Sequence, residues 1–475
     1  MSDGSALGWG TETELNAFET VMWKMDSDPG MRAGTMGLEQ LDRVPEWDRF
    51  VAAHEWAVRM APRFRQKVVE PLFGLGHAYW ADDPNFDLRY HLRRERLPAG
   101  GGWPELMQAV GQFLMTPIDR TRAPWQSTLY EGLPDGRAVY AIKMHHAVTD
   151  GMGVMQLLPT LHSRTREPNP HKPQPTDAAV GTLGALDVSL RQIHGDLAAV
   201  PRIVGGIARG ATRAIGNPSR LLRSASNYGR SAGRVMNPDL GNGSPLLAGR
   251  SMFQGFGAID VPFTDFRAAA RAAGGSTNDA YLGALMAGFR RYHEAMQATI
   301  PATMPISIPV SVRRPDDPKG GNQIVTIRFA APLAEPDPVL RIKQIREVVG
   351  GIREESAVNI LEVVSPAIMR LPGAAVAGLI STITRTNDVM ASNVRGLEGD
   401  FYFAGARVER FYGYGQLAGG ATMIAFVTHG DIGCLGVGYD AAAVTEPALF
   451  LDSLVAGFAE VVDLHPGAAR PRLRT

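Results

Sequence analysis

The sequence predicts an α/β protein in which mixed sheets and helices form two domains. The chain has 475 residues, which is more than a single hydrophobic core usually accommodates. Strand-like and helix-like segments occur in both halves, and a proline-rich stretch at 164–180 lies between them. We therefore predict an N-terminal domain at 1–163, a linker at 164–245 and a C-terminal domain at 246–475.

Composition excludes several classes of protein. Lys+Arg and Asp+Glu both number 48, so the net charge gives no indication of nucleic acid binding. A single cysteine, Cys434, excludes an internal disulfide framework and fits a reducing, cytoplasmic compartment. The N-terminus lacks the basic and apolar regions of a signal peptide. The longest uncharged run, 411–430, contains five glycines and suits a buried strand pair better than a transmembrane helix.

Patterns of apolar residues predict the elements of the first domain. Residues 13–31, 46–60 and 103–116 are predicted helices, the last from apolar residues at helical spacing. Residues 125–146 form two strand-like segments around a Pro-Asp-Gly turn, which predicts a β-hairpin. A further helix is expected directly after it, at 151–163.

Two adjacent histidines end this hairpin, and Asp150 and Gly151 follow. Successive side chains of a strand point to opposite faces, so only one of His145 and His146 can face a site and the other is structural. The same alternation argues against a metal site. Asp150 stands where a helix N-cap belongs. Two interpretations stay open: a core histidine, a rim histidine and a capping aspartate, or a histidine general base held at a strand end by a turn.

The segment HHAVTDG at 145–151 matches the HHxxxDG signature of CoA-dependent acyltransferases and peptide-synthetase condensation domains. Its surroundings resemble the bacterial wax ester synthase/diacylglycerol acyltransferase family. The stretch at 119–151 resembles the family's run from a PLW-type motif into the histidines, and STNDAYLGAL at 276–285 matches its Asn-Asp motif. Further similar blocks occur in the family's order at 83–98, 309–314 and 392–397. The ordered set covers most of the chain and is far more specific than HHxxxDG alone.

The sequence departs from the family pattern at three places. The PLW-type motif contains Ala123-Pro124-Trp125, and Arg395-Gly396 replaces the usual proline-glycine after Asn-Val. The N-terminal opening lacks the family's methionine-histidine pattern. These departures leave the histidine motif intact and bear on the preference for the acceptor alcohol.

The resemblance implies two chloramphenicol-acetyltransferase-like domains with a tunnel between them and the histidine motif at its middle. It implies that His146 is the general base and that His145 supports it. Asp150 takes the position of an aspartate that points away from substrate and pairs with an arginine, for which Arg313 is our candidate. Gly151 is expected to relieve crowding where the chain turns beside the substrate.

Four further residues are expected at the substrate. Pro124 and Trp125 belong to the PLW-type motif, and Asn278 and Asp279 form the Asn-Asp motif. Asn278 is a candidate oxyanion donor. The alternative for Asn278-Asp279 is a helix cap before the apolar segment that follows, and the sequence leaves both open.

The implied activity is transfer of a long-chain acyl group from acyl-CoA to diacylglycerol, with wax esters from long-chain alcohols as a second product. The sequence contains no GxSxG elbow and Cys434 lies far from the motif, which favours direct transfer over a covalent acyl-enzyme. We expect no metal and no cofactor, because acyl-CoA is a substrate. Two alternatives remain: a condensation-type domain that uses another alcohol or a carrier-bound acyl donor, and a non-catalytic lipid-binding relative.

A basic amphipathic segment at 186–236 predicts peripheral attachment to the inner membrane face or to lipid droplets. Basic residues near an anionic surface contribute about 1 kcal/mol each. The alternative is an interdomain linker whose apolar face packs on the two domains. The oligomeric state is left open. The segment carries two aspartates, Asp187 and Asp196, against eight arginines: Arg191, Arg202, Arg209, Arg213, Arg220, Arg223, Arg230 and Arg234.

Overall fold

Two mixed sheets, covered by helices, form the framework of the protein in a computed structural model. The described residues are 8–172, 181–194, 240–241, 243–313, 319–353 and 368–475.

The helices and strands of the first half surround the histidine motif at its centre. They are α1 (Ala17–Met25), β1 (Gly34–Leu41), α2 (Trp47–Met60), β2 (Gln66–Val69), β3 (Tyr79–Asp82), α3 (Leu88–His91), β4 (Leu92–Arg96), α4 (Trp103–Met115), β5 (Trp125–Glu131), β6 (Ala138–His145) and α5 (Gly151–Leu161).

The second half begins with a strand and ends with a short edge strand beside it. Its elements are β7 (Gln254–Pro262), α6 (Phe263–Ala272), α7 (Thr277–Ala295), β8 (Thr303–Ser311), β9 (Ile324–Pro332), α8 (Pro338–Arg353), α9 (Gly373–Thr384), β10 (Val389–Val394), β11 (Tyr402–Phe403), β12 (Ala406–Gly415), β13 (Thr422–His429), β14 (Ile432–Asp440), α10 (Pro447–Val462) and β15 (Arg472–Leu473).

The first sheet has the strand order β11-β12-β1-β6-β5-β4, which places β6 at its centre. The predicted hairpin is confirmed, because β5 and β6 pair antiparallel from Trp125 opposite Met144 to Tyr130 opposite Val139. Helix α2 packs on this sheet through Phe50, which shares a hydrophobic core with residues of β5 and β6 and contacts the ring of Tyr140. The end of β6, where the histidines lie, is therefore held on both sides by paired strands.

The second sheet has the order β15-β7-β14-β13-β10-β8-β9, with β10 parallel to both β13 and β8. Helices α6, α7, α8 and α10 cover it and share one hydrophobic core with it. Ser276 and Asp279 form a capping box that begins α7, whose 19 residues are buried along most of their length. The C-terminal end of β10 points towards the histidine motif, with Val394 close to Gly151.

Several predicted elements differ from the observed ones. The helix predicted at 13–31 is confined to α1, because Asn16 caps its start and the chain leaves the helix at Asp26, before Pro29. The predicted strand pair at 411–430 is wrong as a pair. Strand β12 pairs with β1 in the first sheet, whereas β13 pairs with β10 and β14 in the second.

The position of β11 and β12 also bears on the domain boundaries. The predicted C-terminal domain at 246–475 includes both strands, but both join the first sheet through β1. The chain thus crosses from the second sheet to the first after β10 and returns at β13. Of the predicted basic segment at 186–236, only 186–194 lies within the described residues, in a helix at 185–194.

The two sheets approach each other closely at Gly436 and Gly413. A Cβ atom built on Gly436 of β14 would lie 2.1 Å from the carbonyl oxygen of Gly413 of β12. Any larger residue at position 436 therefore forces the sheets apart, since the neighbouring atom is backbone and cannot rotate away.

We predict that Gly436→Ala lowers the free energy of unfolding by about 1–3 kcal/mol, the usual cost of overpacking a core. The matched control is Gly378→Ala, because Gly378 is an exposed residue of α9 with no atom near its virtual Cβ. The control should be stabilising by up to about 1 kcal/mol, the difference in helix propensity. Urea unfolding measures both, and equal effects of the two changes would contradict the close approach of the sheets.

Candidate active site

Backbone hydrogen bonds fix the turn that carries the histidines. The His145 N–H donates to the carbonyl oxygen of Pro124 at 2.9 Å, and the His146 N–H donates to that of Ala33 at 2.7 Å. Ala33 precedes β1 and Pro124 precedes β5, so both neighbours of β6 hold its end. The strand geometry then directs the two rings to different sides.

His145 points into the protein. It is fully buried, and its Nδ1 accepts the N–H of Ala147 at 3.0 Å. Its Nε2 lies 3.3 Å from a carboxylate oxygen of Asp26, and its ring packs edge-on against Trp23 with ring centroids 4.8 Å apart. This surrounding ties β6 to α1 and leaves His145 out of reach of a substrate.

His146 points the other way and lies between two cavities. The larger has a volume of about 730 Å³ and opens between the two sheets. The smaller has a volume of about 140 Å³ and lies against the first sheet, with further walls from β10 and β13 of the second sheet. Both are lined by His146 and Gly151. The histidine is thus the point at which a substrate in one cavity could meet a substrate in the other.

The smaller cavity is almost entirely apolar, and the larger is more polar. Phe64, Trp125 and Leu157 are typical walls of the smaller one. Arg32 and Asn278 contribute polar side chains to the larger one. An apolar cavity suits a hydrocarbon chain, while a polar one accommodates groups that need hydrogen bonds.

Gly151 sits where β10 comes closest to the motif. A Cβ atom built on it would lie 3.0 Å from Cγ2 of Val394, which is tighter than an ordinary contact. The missing side chain lets the second sheet reach the histidine. Gly151 is also the first residue of α5 and lines both cavities.

Asp150 is buried and its carboxylate accepts three hydrogen bonds. Oδ1 caps α5 by accepting the N–H of Gly153 at 2.7 Å. Oδ2 accepts the N–H of Gln323 at 2.8 Å and Nη2 of Arg313 at 3.1 Å. In the described part of the chain Asp150 makes no hydrogen bond to His146. The aspartate therefore holds the turn and the entry to β9 together, and its charge reaches the histidine only through space.

The residues before β9 pack directly against the motif. The Asp150 N–H donates to the carbonyl oxygen of Gly321 at 3.2 Å, and Arg313 donates to that of Gly320 at 2.9 Å. Gly320 and Gly321 have φ angles of 82° and 65°, a region that disfavours other residues. At Gly320 a Cβ would also lie 2.9 Å from the backbone nitrogen of Gly10. Both glycines are needed to fold this segment against Asp150.

Two residues at the histidine were missed by the sequence analysis. Asn322 is buried, with Nδ2 at 2.7 Å from Nδ1 of His146 and 3.1 Å from its carbonyl oxygen. Glu19, on α1, accepts the backbone N–H of Asn322 at 2.7 Å. The only visible signals were the Asn16-to-Glu19 capping box and the Gly-Gly turn before Asn322, and neither points to a histidine far away in the chain.

The electrostatic surroundings lower the pKa of His146 and so favour its neutral form. Burial lowers the pKa of His146, the nearby Asp150 carboxylate opposes that effect, and His145 adds to it. A neutral imidazole has a lone pair and can accept a proton. Burial also raises the pKa of Glu19 to about 7, against the hydrogen bonds it accepts from backbone N–H groups.

The remaining predicted residues occupy different places. Asn278 lines the larger cavity, and its Oδ1 accepts Nδ2 of Asn393 at 3.3 Å. Asp279 is not at either cavity, because its carboxylate caps α7 by accepting the N–H and hydroxyl of Ser276, each at 2.8 Å. Trp125 forms a wall of the smaller cavity and donates from Nε1 to a backbone oxygen. Pro124 contributes its carbonyl oxygen to the end of β6.

Cys434 is buried in β14, and burial raises the pKa of its thiol to about 12. It lines neither cavity. Within the described ranges, no cluster of three or more histidine, cysteine or acidic side chains could hold a metal ion. Every helix that the structure describes is too short or too polar to cross a bilayer.

Comparison with known proteins identifies the family. The model of the wax ester synthase/diacylglycerol acyltransferase catalytic domain matches residues 15–281, and that of the WS/DGAT C-terminal domain matches residues 320–461. A putative diacylglycerol O-acyltransferase of Mycobacterium tuberculosis (strain ATCC 25618 / H37Rv) is 38% identical over 466 residues, 97% of this chain and 94% of that protein. The chain belongs to the wax ester synthase/diacylglycerol acyltransferase family.

A second putative diacylglycerol O-acyltransferase from the same strain is 26% identical over 482 residues, 96% of this chain and 98% of the relative. The wax ester synthase/diacylglycerol acyltransferase from Marinobacter aquaeolei VT8 has a similar structure, with a TM-score of 0.63 and 20% identity over 94% of this chain and 98% of that one. Both similarities extend over nearly all of this chain, well beyond the histidine motif.

Condensation domains share the fold at lower identity. The first condensation domain of the CDA synthetase has a TM-score of 0.58 and 15% identity, with 98% of this chain and 99% of that one covered. A starter condensation domain of rhizomide synthetase, solved in complex with C8-CoA, has a TM-score of 0.57 and 14% identity, covering 97% and 96%. The predicted fold of two chloramphenicol-acetyltransferase-like domains is confirmed by these structures and by the family match.

We predict that Asp150→Asn lowers the free energy of unfolding by about 3–5 kcal/mol, because it removes the negative charge from a buried ion pair with Arg313. Turnover should fall together with stability. The control is Asp463→Asn, since Asp463 pairs with Arg470 at 2.8 Å in an exposed position. Such exposed pairs contribute about 0–1 kcal/mol.

Thermal unfolding measures stability, and initial rates are measured at a temperature where both variants stay folded. Together they separate a structural role of Asp150 from a direct action on His146. A large loss of rate at unchanged unfolding temperature would contradict the structural role. It would instead mean that Asp150 acts on His146 directly.

Proposed function

We propose that this protein transfers a long-chain acyl group from acyl-CoA to diacylglycerol, producing triacylglycerol, and that it also accepts long-chain alcohols. The observation that carries the proposal is the position of His146 at the junction of an apolar and a more polar cavity. The names of the relatives support the acceptor, the complex of a similar condensation domain with C8-CoA supports a CoA donor, and the family match supports the reaction class.

The geometry supports direct transfer with His146 as general base. Its ring accepts the hydroxyl proton of the alcohol while the alcohol oxygen attacks the thioester carbonyl carbon. The tetrahedral oxyanion collapses, the carbon–sulfur bond breaks and the ester carbon–oxygen bond remains. His146 then returns its proton to the CoA thiolate. The buried thiol of Cys434 lies away from both cavities, which favours this route over a covalent intermediate.

Asn278 is the proposed oxyanion donor. It lines the same cavity as His146, and its side-chain oxygen already accepts a hydrogen bond from Asn393. The amide hydrogens of Asn278 are therefore the groups that donate to a substrate oxygen in this proposal. A positioned donor of this kind contributes roughly 3–4 kcal/mol to the transition state.

The two cavities suggest how the substrates divide. We assign the smaller cavity to a hydrocarbon chain, because its walls include Phe64, Trp125 and Leu157. The one polar side-chain group among these three, Nε1 of Trp125, already donates to a backbone oxygen. The larger cavity, with Arg32 and Asn278, suits the groups that carry oxygen atoms. The proposed reaction then occurs where the cavities meet, at His146.

Two other functions are distinguishable from this one. A condensation-type enzyme would use a carrier-bound acyl donor, and the shared fold alone does not separate it from a family member that uses free CoA thioesters. A non-catalytic lipid-binding relative would need no general base where the two cavities meet. Purified protein with palmitoyl-CoA and either diacylglycerol or hexadecanol tests all three, by release of free CoA thiol and chromatography of the lipid product.

We predict that His146→Ala lowers the rate of CoA release by about 10²–10⁴-fold, the usual contribution of a general base. His145→Ala should lower the unfolding temperature more than the rate per folded molecule. His145 ends β6, and its side chain packs against Trp23 of α1 and lies beside Asp26. His171→Ala is the control, since His171 is exposed. Wild-type turnover by folded His146→Ala would exclude the proposed mechanism.

We also propose that the protein docks on an anionic lipid surface to collect its insoluble acceptor. The docking surface consists of exposed apolar residues on the loop at 71–76 and the helix at 185–194. The two segments touch, because the Leu72 N–H donates to Oγ of Ser189 at 2.8 Å. Phe73 is 89% exposed at the loop tip. The exposed apolar residues are Leu72, Phe73, Leu75, Leu186, Leu190 and Ile193.

This surface is connected to the larger cavity. The Gly76 N–H donates to the carbonyl oxygen of Met369 at 3.0 Å, and Met369 packs in one hydrophobic cluster with Met25. Met25 lines the larger cavity. Arg191 lies within the same helix as the apolar residues, and the predicted basic segment continues after it. An apolar tip beside basic residues is the combination that favours an anionic membrane interface.

We predict that Phe73→Ser combined with Leu190→Ser reduces co-sedimentation with vesicles of phosphatidylcholine and phosphatidylglycerol and slows transfer to diacylglycerol. Transfer to a short, soluble alcohol should be unchanged, because the site is untouched. Leu340→Ser is the control, since Leu340 is an exposed residue of α8 outside the docking surface. Equal vesicle binding by the double variant and the wild type at low salt would exclude this surface.

A further inference from the structure

Among the residues that the structure describes, six line both cavities and so surround the point where the cavities meet. Two of them carry a hydroxyl group, Thr35 and Ser392. A hydroxyl group beside a general base can donate a hydrogen bond to a reacting oxygen atom. The full set is Thr35, His146, Gly151, Ser392, Val394 and Met423.

The two hydroxyl groups differ in the contacts they already make. Oγ1 of Thr35 donates to the carbonyl oxygen of Tyr414 at 3.1 Å, which joins β1 to β12 within the first sheet. The hydroxyl of Ser392 has no hydrogen-bond partner in the described part of the protein. Its side chain is partly exposed and borders the two cavities. The hydrogen of the Ser392 hydroxyl is therefore available to a bound substrate.

Strand β10 directs Ser392 towards the histidine motif. Val394 of the same strand faces the motif, because a Cβ atom built on Gly151 would lie 3.0 Å from its Cγ2. Ser392 shares the face of Val394 and lies roughly 7 Å from it along the strand, the rise of two residues. Asn393, between them, points the other way and donates from Nδ2 to Asn278 at 3.3 Å.

The position of Ser392 is fixed by the sheet around it. Strand β10 runs parallel to β13, and Ser392 lies opposite Ala425 in that pairing. On its other side β10 pairs with β8 through Val389 and Met390. A donor on a paired strand needs little rearrangement during a reaction, which is the condition for effective electrostatic stabilisation of a transition state.

We propose that Ser392 is a catalytic residue whose hydroxyl donates a hydrogen bond to the thioester carbonyl oxygen and to the oxyanion that forms from it. The proposal rests on the proposed function, because it adds a donor to the same reaction. As the alcohol oxygen bonds to the carbonyl carbon, an electron pair moves from the carbon–oxygen double bond to the oxygen, and His146 takes the alcohol proton. The double bond re-forms when the carbon–sulfur bond breaks, and Ser392 keeps its own proton throughout.

Ser392 and Asn278 are separate donors that can be removed one at a time. Asn278 borders the larger cavity, whereas Ser392 borders both and shares their meeting point with His146. An oxygen acceptor has more than one lone pair, so two donors can serve the same oxyanion. A variant that lacks only the Ser392 hydroxyl therefore reports on this group while Asn278 stays in place.

The first experiment compares Ser392→Ala, which removes only the hydroxyl, with Ser392→Thr, which keeps it. With palmitoyl-CoA and hexadecanol we expect Ser392→Ala to lower kcat by about 10²-fold, the lower end of the loss seen when one oxyanion donor is removed. KM for either substrate should change little. Ser392→Thr should retain more activity than Ser392→Ala, and the unfolding temperature of Ser392→Ala should be that of the wild type, because the hydroxyl has no protein partner to lose.

Ser307→Ala is the matched control. Ser307 lies on the neighbouring strand β8, its buried hydroxyl also has no partner among the described residues, and it borders neither cavity. The same atom is therefore removed from the same sheet, away from the substrates. We expect Ser307→Ala to keep the kcat of the wild type.

A second measurement reports the hydrogen bond without turnover. Palmitoyl-CoA labelled with ¹³C at the thioester carbonyl is bound to the full chain in the absence of an alcohol, and its carbonyl band is recorded by infrared difference spectroscopy. We expect a lower stretching frequency on the wild type and on Ser307→Ala than on Ser392→Ala, because a hydrogen bond to the oxygen weakens the double bond.

Either of two results would overturn the proposal. One is a Ser392→Ala variant with the kcat and the carbonyl frequency of the wild type. The other is a Ser392→Ala variant that raises KM for the alcohol at unchanged kcat, which would mean that Ser392 holds the acceptor. Failure of the proposed function gives a different result, because the wild type would then release no CoA with any alcohol while the carbonyl band still differed between the wild type and Ser392→Ala.

Discussion

The carboxylate of Asp150 is the interaction on which the site depends. It is buried, and three donors from separate parts of the chain converge on it: the start of α5, the entry to β9, and Arg313 after β8. An ionised carboxylate in the interior is costly unless it is paired and hydrogen-bonded. The three donors meet that requirement only when the two halves of the chain are in contact, so the closed arrangement and the ionised aspartate stabilise each other.

This arrangement explains why the groups around His146 come from distant segments. Once Asp150 holds Gln323, the preceding residue, Asn322, is brought to the ring of His146. Glu19 completes the arrangement from α1 by accepting the Asn322 N–H. The glycines before Asn322 allow the chain to pass close to Asp150. The groups around the ring of His146 are thus held in place by a structural residue, Asp150, that makes no hydrogen bond to the ring among the described residues.

The local elements and the histidine motif could be predicted from the sequence, and the long-range contacts could not. Strand alternation correctly separated His145 from His146, and the capping position of Asp150 was visible beside Gly151. Asn322 and Glu19 gave no such signal, because a contact across 176 residues leaves no periodic pattern. The crossing of β12 into the first sheet was missed for the same reason. A strand's apolar pattern shows that it is buried but not which sheet it joins.

One departure from the family pattern, Arg395-Gly396, falls where the structure tolerates it. At Arg395-Gly396, a Cβ on the glycine would lie 1.7 Å from the carbonyl oxygen of Thr428, so this position requires glycine. Arg395 is exposed, pairs with Glu398 and lines the larger cavity, so nothing in the packing requires proline there. Arg395 therefore places a charge at the larger cavity without disturbing the backbone that shapes it. If His146 is the base, we expect this charge to bear on which acceptor enters the cavity and not on the transfer step itself.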